Sequence, residues 1–369
     1  MAESNRLVDL VQSCIDDFLG VREPIVTAIS PDVTPMVEFS RQFLRGGKRF
    51  RALFCYWGAR SVLMDSAEAE IPVDMVPPWL VSTASALEIF HAAALVHDDI
   101  IDNSDTRRGA ASAHRLFEAM HATHQWAGAP AGYGSAAAIL LGDLMLGWSD
   151  ELLDEGLDAV PDRRSARRAR LEFNRMRTEV TVGQYLDILE ERAWLTQPES
   201  ELQERALRVI VYKSAKYSVQ APLVIGAALC GATTEQLDGL RSFGLPLGIA
   251  YQLRDDLLGV FGDAEVTGKP SGDDLREGKR TVLMALAREA ASASELQLLD
   301  TLVGDPELDS AQVALLQHTI QAGGAVEQVE RLIDDYVREA TQALDAAPIG
   351  STAKAKLGQL TETVIRRAY

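Results

Sequence analysis

The chain has 369 residues, of which 47% are hydrophobic, 24% charged and 6% aromatic, and its formal net charge is −18. So acidic a chain is not expected to bind nucleic acid, because proteins that do so normally carry a basic surface. Alanine and leucine dominate and β-branched runs are few, so we expect an all-α protein. Cys14, Cys55 and Cys230 are too few and too scattered for a disulfide framework or a zinc site, and we expect them to be buried.

The apolar stretches favour a globular protein over a membrane protein. Residues 135–148 and 219–231 are the most apolar, but both are shorter than a membrane span and are interrupted by Asp143 and Pro222. The first residues lack the charged and then apolar layout of a signal peptide. These features predict a soluble, cytoplasmic protein without a membrane span.

A basic motif follows a first helix, which is predicted at residues 6–19. Residues 43–51 contain two glycines, which permit a tight turn, and then Lys48 and Arg51, which we place in the first turn of the next helix. Cations are unfavourable at a helix N-terminus, whereas backbone amides, lysine and arginine all favour a phosphate there. The motif therefore indicates a phosphate site, with an exposed basic turn as the alternative.

A long central helix is predicted at residues 78–103, after a proline-containing connector. Its residues are small or apolar on nearly every side, which is typical of a helix surrounded by other helices. His91 lies two turns before Asp98, on about the same face. This histidine is either a satisfied core residue or a ligand at the acidic end of the helix.

The end of the central helix carries the first acidic motif. Asp98 and Asp102 stand one turn apart, so their carboxylates point into the same space and a cation is needed to neutralise them. Oxygen ligands that leave room for water and phosphate suit Mg²⁺ better than Zn²⁺. Arg107 and Arg108 follow, and paired arginines are typical of phosphate binding. Taken alone, this motif is more typical of a solvated acidic helix face than of a metal site.

A second acidic motif favours a metal site over a solvated acidic helix face. Residues 248–259 again end an apolar helical pattern in paired aspartates, here Asp255 and Asp256. Two acidic helix ends in one chain indicate two sides of a single metal cluster.

The middle of the chain offers weaker signals. Residues 121–134 are predicted to form a loop with His121 and His124 at the surface, followed by a helix at residues 135–153. Residues 163–177 are rich in arginine and predict a solvated helix face that pairs with acidic neighbours, with nucleic-acid binding as the weaker alternative.

Two further segments place lysines where an anion would fit. Lys213 and Ser214 lie inside an apolar helix that we expect to be kinked at Pro222. A glycine-containing loop carries Lys269 and Lys279 and is expected to close over phosphate. The residues after this loop predict helices that serve packing or a subunit interface.

Six motifs occur along the chain: Gly-Gly-Lys-Arg-Phe-Arg (46–51), Leu-Val-His-Asp-Asp-Ile-Ile-Asp-Asn-Ser-Asp-Thr-Arg-Arg-Gly (95–109), Gly-Gln-x-x-Asp (183–187), Tyr-Lys-Ser-Ala (212–215), Gly-x-x-x-Gln-x-x-Asp-Asp (248–256) and Gly-Lys-Pro (268–270). In content and order they resemble the trans-isoprenyl diphosphate synthases, also called polyprenyl synthetases. The likeness is greatest to the bacterial geranylgeranyl diphosphate synthases.

The resemblance implies one domain over residues 1–369, with ten or more helices around a central apolar cavity and the two acidic motifs facing each other at its mouth. It implies a homodimeric, Mg²⁺-dependent prenyltransferase that condenses isopentenyl diphosphate with dimethylallyl, geranyl or farnesyl diphosphate. Three Mg²⁺ ions per site would be held by Asp98, Asp102 and Asp255. The allylic diphosphate would be bound by Arg107, Lys213, Ser214, Gln252 and Lys269. Isopentenyl diphosphate would be bound by Lys48, Arg51, His91 and Arg108.

One position departs from the family pattern. The second acidic motif commonly ends in a third aspartate, and this chain has Gly259 there. We expect activity to persist because Asp255 and Asp256 remain, and we expect Asp263, two turns after Asp255, to replace part of the missing contact.

The product length is expected to depend on the residues before Asp98. Members of the family that stop at fifteen carbons often have aromatic residues four or five positions earlier, and this chain has Ala94 and Ala93 there. The next bulky residue back is Phe90, about 12 Å from Asp98 along the helix. This favours geranylgeranyl diphosphate, a C20 product, with farnesyl or longer products as alternatives. A class I terpene cyclase and an inactive partner subunit remain as other functions.

Overall fold

The computed structural model describes residues 2–63, 76–107, 109–262 and 271–365. Helices account for nearly all of these residues, so the predicted all-α class is confirmed. The helices are α1 Ala2–Thr27, α2 Thr34–Phe43, α3 Phe50–Leu63, α4 Pro78–Ile101, α5 Ala113–Thr123, α6 Pro130–Asp158, α7 Arg163–Ala193, α8 Leu202–Val209, α9 Ala221–Leu229, α10 Thr234–Phe261, α11 Asp273–Glu277, α12 Val282–Ala290, α13 Ala293–Leu302, α14 Ser310–Ala322, α15 Ala325–Ala346 and α16 Ser351–Ile365. Short 3₁₀ turns lie at Pro31–Val33, Trp194–Thr196 and Glu199–Glu201, and a π-helix lies at Ile210–Gln220.

One short hairpin interrupts the helices. Its strands β1 Thr106–Arg107 and β2 Ala110–Ala111 are antiparallel, with Thr106 opposite Ala111. Gly109, in the turn between them, has a φ of +75°, a conformation that favours glycine.

Several predicted boundaries need correction. Helix α1 is longer than residues 6–19 and runs from Ala2 to Thr27. The predicted loop at 121–134 is shorter, because α5 continues to Thr123 and α6 already begins at Pro130. His121 is therefore a buried helical residue, although His124 is exposed as expected.

Backbone contacts divide the chain into two compact units. Unit 1 comprises Met1–Arg170 and Ile225–Gly231, and unit 2 comprises Leu171–Val224 and Ala232–Tyr369. The first acidic motif belongs to unit 1 and the second to unit 2. The expectation of one domain over residues 1–369 stays a prediction.

Unit 1 is built on the pairing of α4 with α6. Small residues bring the two backbones together: a Cβ added to Gly156 would lie 3.1 Å from the Trp79 carbonyl oxygen. The Ser149 hydroxyl, which is buried, donates to the carbonyl of Ala86 at 2.7 Å. This close packing accounts for the small residues that fill the interior of α4.

Helix α4 is also the one described helix that is long and apolar enough to cross a membrane. Its mean hydropathy reaches 1.5 over an 18-residue window, and 72% of that window is buried within the protein. Such burial is typical of a core helix that neighbouring helices cover.

Unit 2 is built on α10, which packs against the π-helix and α15. A capping box fixes the start of α10, where the Thr233 hydroxyl accepts from the Gln236 amide and the Gln236 side chain accepts from the Thr233 amide. A π-helix directly precedes Pro222, the position at which we predicted a kink. Proline cannot donate a hydrogen bond and its ring crowds the preceding turn, and here the Ala221 amide donates five residues back, to the Lys216 carbonyl.

The remaining sequence expectations concern arginines and cysteines. The arginine-rich segment does form a helix face with acidic partners, for example Arg163 with Asp158 and Arg175 with Glu179. Cys55 is buried, but Cys14 and Cys230 are only half-buried, so the expectation of three buried cysteines holds for one of them.

Candidate active site

The second half of α4 presents one half-buried stripe. His91, Ala94, Leu95 and Asp98 lie at the three- and four-residue spacing of one helix face, and each is half-buried. Among the residues between them, Ala92, Ala93 and Val96 are buried. The predicted alignment of His91 with Asp98 is therefore present, and an apolar strip leads to the acidic end of the helix.

The acidic end keeps helical geometry through Asp102. The Asp102 amide donates to the Asp98 carbonyl at 2.8 Å, and Asp102 has φ −80° and ψ −6°. The two carboxylates are thus one turn apart on one face, as expected. Within the described residues, no group of three or more His, Cys, Asp or Glu side chains forms a complete metal site. Mg²⁺ is typically bound by one or two carboxylates and completed by water and substrate phosphates, so this pair fits Mg²⁺.

Asp99, between these two positions, has a different role. It is 1% exposed, and its Oδ1 accepts from Arg107 Nε at 2.8 Å and also from Arg107 Nη2. Arg107 Nη2 lies 3.5 Å from Asp98 Oδ2. The hairpin thus brings Arg107, a predicted phosphate-binding residue, beside Asp98, a predicted metal ligand. The buried carboxylate of Asp99 fixes the position of Arg107. Arg108 lies outside the described residues.

The basic motif forms the tight turn that its glycines predict. Gly46 and Gly47 have φ of +69° and +86°, and Arg49 also has a positive φ, +50°. The expected position of Lys48 needs correction. Helix α3 begins at Phe50, so Lys48 is exposed ahead of the helix and only Arg51 lies in its first turn.

Arg49 holds this turn in place. Its side chain is buried, and it donates to the Leu44 carbonyl and to Gln12 Oε1, the latter at 2.7 Å. It also lies 3.5 Å from Glu88 Oε2, on α4. Glu88 Oε1 accepts from the Ala52 amide at 3.0 Å, so a carboxylate of the chain itself caps α3. Lys48 and Arg51 are therefore presented on a rigid support.

In unit 2 the predicted lysine and serine lie on the π-helix. Lys213 Nζ pairs with Asp187 of α7, and Ser214 is half-buried. Gly183, one turn before Asp187, makes this approach possible: an added Cβ would lie 2.5 Å from the Tyr212 carbonyl carbon. Within the 183–187 motif, Gly183 thus allows the backbone at Lys213 to approach, and Asp187 pairs with the Lys213 side chain.

A second motif glycine contacts the same segment. A Cβ added to Gly248 of α10 would lie 2.6 Å from the Ala215 carbonyl oxygen. The backbone of the π-helix is therefore in close contact with both α7 and α10. Close packing leaves the backbone of the π-helix few unstrained conformations, so the positions of Lys213 and Ser214 are well defined.

The second acidic motif contains one exposed and one buried carboxylate. Asp255 is exposed, whereas Asp256 is 5% exposed and its Oδ1 accepts from Gln252 Nε2 at 2.9 Å. Burial raises the pKa of Asp256 well above its ordinary value, and the negative charges of Asp274 and Asp255 raise it further. Gln252, which we expected at the allylic substrate, contacts the second carboxylate of its own motif in this structure.

The predicted phosphate loop is only partly described. Residues 273–277 form helix α11, which corrects the expectation of a loop throughout. Lys279 Nζ lies 3.2 Å from Glu277 Oε2. Lys269 and Asp263 lie outside the described residues.

Comparison with known proteins identifies the family. The family model described as polyprenyl synthetase matches residues 34–320. The chain belongs to the polyprenyl synthetase family.

Relatives of this polyprenyl synthetase agree with that assignment. A geranylgeranyl diphosphate synthase of Methanosarcina mazei is 30% identical over 97% of this chain and 95% of its own length. A geranylfarnesyl diphosphate synthase of Aeropyrum pernix is 29% identical over 87% of this chain and 91% of its own.

Among solved structures, a geranylgeranyl pyrophosphate synthase of Corynebacterium glutamicum, in complex with isoprenyl diphosphate and magnesium, is similar to this chain with a TM-score of 0.91. It is 36% identical and covers 99% of both chains. The predicted family, fold and enzyme class, a prenyltransferase that makes trans-prenyl diphosphates, are confirmed.

The structure of this polyprenyl synthetase also shows polar residues that sequence reasoning missed. Sequence reasoning assigned no role to Asp99 or Glu88 and used Asp256 only as the partner of Asp255 in the second acidic motif. Each has a signal in the sequence, because a carboxylate in an apolar helical segment requires a buried partner. The partners, Arg107, Gln252 and Arg49, lie on other turns or elements, and only the fold reveals them.

Proposed function

We propose that the chain is a Mg²⁺-dependent prenyltransferase that condenses isopentenyl diphosphate with allylic diphosphates to give geranylgeranyl diphosphate. The half-buried stripe on α4 carries this proposal. It joins an apolar strip, at Ala94 and Leu95, to the carboxylates of Asp98 and Asp102. An allylic diphosphate has the same two parts, a hydrocarbon tail and a diphosphate that binds metal.

The metal ligands in the proposal are Asp98, Asp102 and Asp255, with three Mg²⁺ ions per active site. The helical spacing of the first two and the exposure of the third support this assignment. When bound, the ions neutralise the charge that develops on the leaving pyrophosphate.

The remaining predicted site residues bind the diphosphates of the two substrates. We assign the allylic diphosphate to Arg107, Lys213, Ser214, Gln252 and Lys269. We assign isopentenyl diphosphate to Lys48, Arg51, His91 and Arg108, and we expect Lys279 to contact phosphate from the loop. Arg107 and Lys213 each pair with a carboxylate, Asp99 and Asp187, and this pairing orients their remaining N–H donors before substrate arrives.

In the proposed reaction, the carbon–oxygen bond of the allylic diphosphate breaks and yields an allylic cation and pyrophosphate. The arginine and lysine donors stabilise the developing negative charge on pyrophosphate. The double bond of isopentenyl diphosphate then attacks the cation, a new carbon–carbon bond forms, and the departing pyrophosphate takes up the proton that is lost. The apolar strip of α4 excludes water that would otherwise quench the cation.

The product length follows from the residues that precede Asp98 on the stripe. Ala94 is half-buried and small, so it leaves space for the growing chain. Phe90, 5% exposed, is the next bulky residue back, about two turns from Asp98. This spacing supports a C20 product, and farnesyl or longer products remain as alternatives.

We also propose a homodimer and a cytoplasmic location, with residues 1–369 as one functional domain. Helix α6 exposes two adjacent large apolar side chains, Ile139 at 45% and Leu140 at 61%. A second copy of the chain would remove this surface from water.

One experiment separates the candidate functions. The full-length chain is incubated with Mg²⁺, isopentenyl diphosphate and each of the three allylic diphosphates, and the dephosphorylated products are separated by chromatography. The proposal predicts a linear C20 alcohol. Cyclic hydrocarbons without consumption of isopentenyl diphosphate would indicate a class I terpene cyclase. No turnover with any starter would indicate an inactive partner subunit.

A further inference from the structure

A second lysine of the π-helix also pairs with α7. Lys216 Nζ donates to Glu179 Oε1 at 3.0 Å, and the two side chains are only 15% and 21% exposed. The same ammonium group lies 4.5 Å from the centre of the Tyr212 ring. A carboxylate and an aromatic face both attract the ammonium charge, so the Lys216 side chain ties the π-helix to α7.

The partners of the π-helix lie on one face of α7. Glu179, Gly183 and Asp187 stand four residues apart, so each lies one turn beyond the last. Gly183, in the middle, has no side chain, and a Cβ there would overlap with the Lys213 amide nitrogen. The carboxylate one turn before Gly183 binds Lys216, and the carboxylate one turn after it binds Lys213. Helix α7 therefore contacts the π-helix at three successive turns.

The backbone of Lys216 takes part in the wider turn of the π-helix. Its carbonyl accepts from the amide of Ala221, five residues further on, whereas in an α-helix this carbonyl would accept from Gln220. The Lys216 side chain thus fixes the segment at a residue where its winding departs from that of an α-helix. Lys213 and Ser214 lie in the same segment, so their positions depend on this winding.

We propose that Lys216 is a positioning residue for the allylic diphosphate. Its ion pair with Glu179 holds the π-helix on α7, so that Lys213 and Ser214 keep the positions in which they bind the substrate. Lys216 itself does not contact the substrate in this proposal, and it lies just beyond the 212–215 motif. The inference rests on the proposed function, because that function places Lys213 and Ser214 at the allylic diphosphate.

The test removes each partner of the pair in the full-length protein. Lys216→Met keeps an unbranched side chain without the charge, and Glu179→Gln keeps the shape of the carboxylate. Each variant should raise KM for the allylic diphosphate about 3- to 10-fold, as expected for a partly buried ion pair, and leave KM for isopentenyl diphosphate unchanged. The double variant should match the single variants, because all three lack the same contact. Lys216→Arg should restore most of the affinity, since its charge still pairs with Glu179.

Arg175→Gln is the matched control. Arg175 donates to the same Glu179 oxygen, also at 3.0 Å, but it is 61% exposed and belongs to α7 itself. Because this pair does not join two helices, its loss should leave both KM values unchanged. Binding of Mn²⁺, used as a probe for Mg²⁺ and followed by electron paramagnetic resonance, should be unchanged in every variant.

Hydrogen exchange measures the contact without reference to activity. The backbone amides of residues 210–221 should exchange faster in Lys216→Met and Glu179→Gln than in the wild type or in Arg175→Gln. Circular dichroism and thermal unfolding show whether each variant is folded. If the wild type does not elongate an allylic diphosphate, the proposed function fails, whereas the exchange rates still report whether the pair holds the π-helix.

Three results would overturn the inference. A wild-type KM for the allylic diphosphate in Lys216→Met would show that the pair positions no substrate-binding residue. A higher KM in Lys216→Met but not in Glu179→Gln would show that Lys216 contacts the substrate directly. Equal increases in KM for both substrates would show a general loss of structure.

Discussion

Arg107 donates two hydrogen bonds to the buried carboxylate of Asp99. The pairing gives neighbouring aspartates of one motif different tasks. Asp98 is accessible and suited to metal, whereas Asp99 is buried and positions an arginine beside it. Two pairs of substitutions separate these tasks.

Asp98→Ala and Asp102→Ala should each lower turnover at least about 100-fold, because a charged group that binds the catalytic ions is lost. Steady-state kinetics at several Mg²⁺ concentrations measures this effect, and circular dichroism should show unchanged helix content. Asp105→Ala is the control, since the Asp105 side chain is 72% exposed and pairs with Arg115. Near-normal turnover in either of the first two variants would contradict the metal assignment.

Asp99→Asn should retain Mn²⁺ binding but raise KM for the allylic diphosphate, because Arg107 loses the charged partner that orients it. Arg107→Ala should produce the same pattern, and the double variant should be no worse than either single variant. Additive losses would show that the two residues act independently.

Arg51→Ala should raise KM for isopentenyl diphosphate about 10- to 100-fold, which corresponds to the loss of about 1.5 to 3 kcal/mol from a charge-assisted hydrogen bond. KM for the allylic substrate should change much less. Arg45→Ala, at an exposed position just before the glycine turn, is the control. A larger change for the allylic substrate would mean that the two phosphate sites have been exchanged in our assignment.

The burial of α4 refines the prediction for product length. Ala94 is half-buried, so Ala94→Phe should shift the product toward C15 while the protein stays folded. Ala93 is 0% exposed, so Ala93→Phe should lower thermal stability, by about 1 to 3 kcal/mol for an overpacked core. Phe90→Ala should lengthen the product. Chromatography of the dephosphorylated products, with thermal unfolding of each variant, distinguishes these outcomes.

Gly183→Ala should disturb Lys213, because the added methyl would overlap with the backbone of the π-helix. We expect a lower melting temperature and a higher KM for the allylic diphosphate. Gly20→Ala is the matched control: this glycine lies within a helix and a Cβ there meets no described atom within 4 Å. In that variant stability should rise, by about 0.5 to 1 kcal/mol. Equal effects at the two positions would argue against the proposed contact.

Helical periodicity predicted much of this structure from the sequence. The central helix was placed to within two residues of its end, and the spacing of Asp98 and Asp102 followed from it. Local spacing could not predict the partners, because pairs such as Lys213 with Asp187 join residues that are distant in the chain. The π-helix was also beyond prediction, and its close contacts with Gly183 and Gly248 join segments that are distant in the chain.

The π-helix makes this region sensitive to chain length. At Ala221 the backbone bond spans five residues, one more than in an α-helix, so segment Ile210–Gln220 is out of phase with α-helical winding. A wider turn of this kind accommodates one extra residue within a helix, so deleting one residue would let the segment close as an α-helix while the helices on either side keep their phase. Lys213 and Ser214 would change position instead, because they lie inside the segment that contracts. For this part of the chain, we therefore expect a deletion to displace the lysine and the serine before it disturbs the apolar faces of the flanking helices.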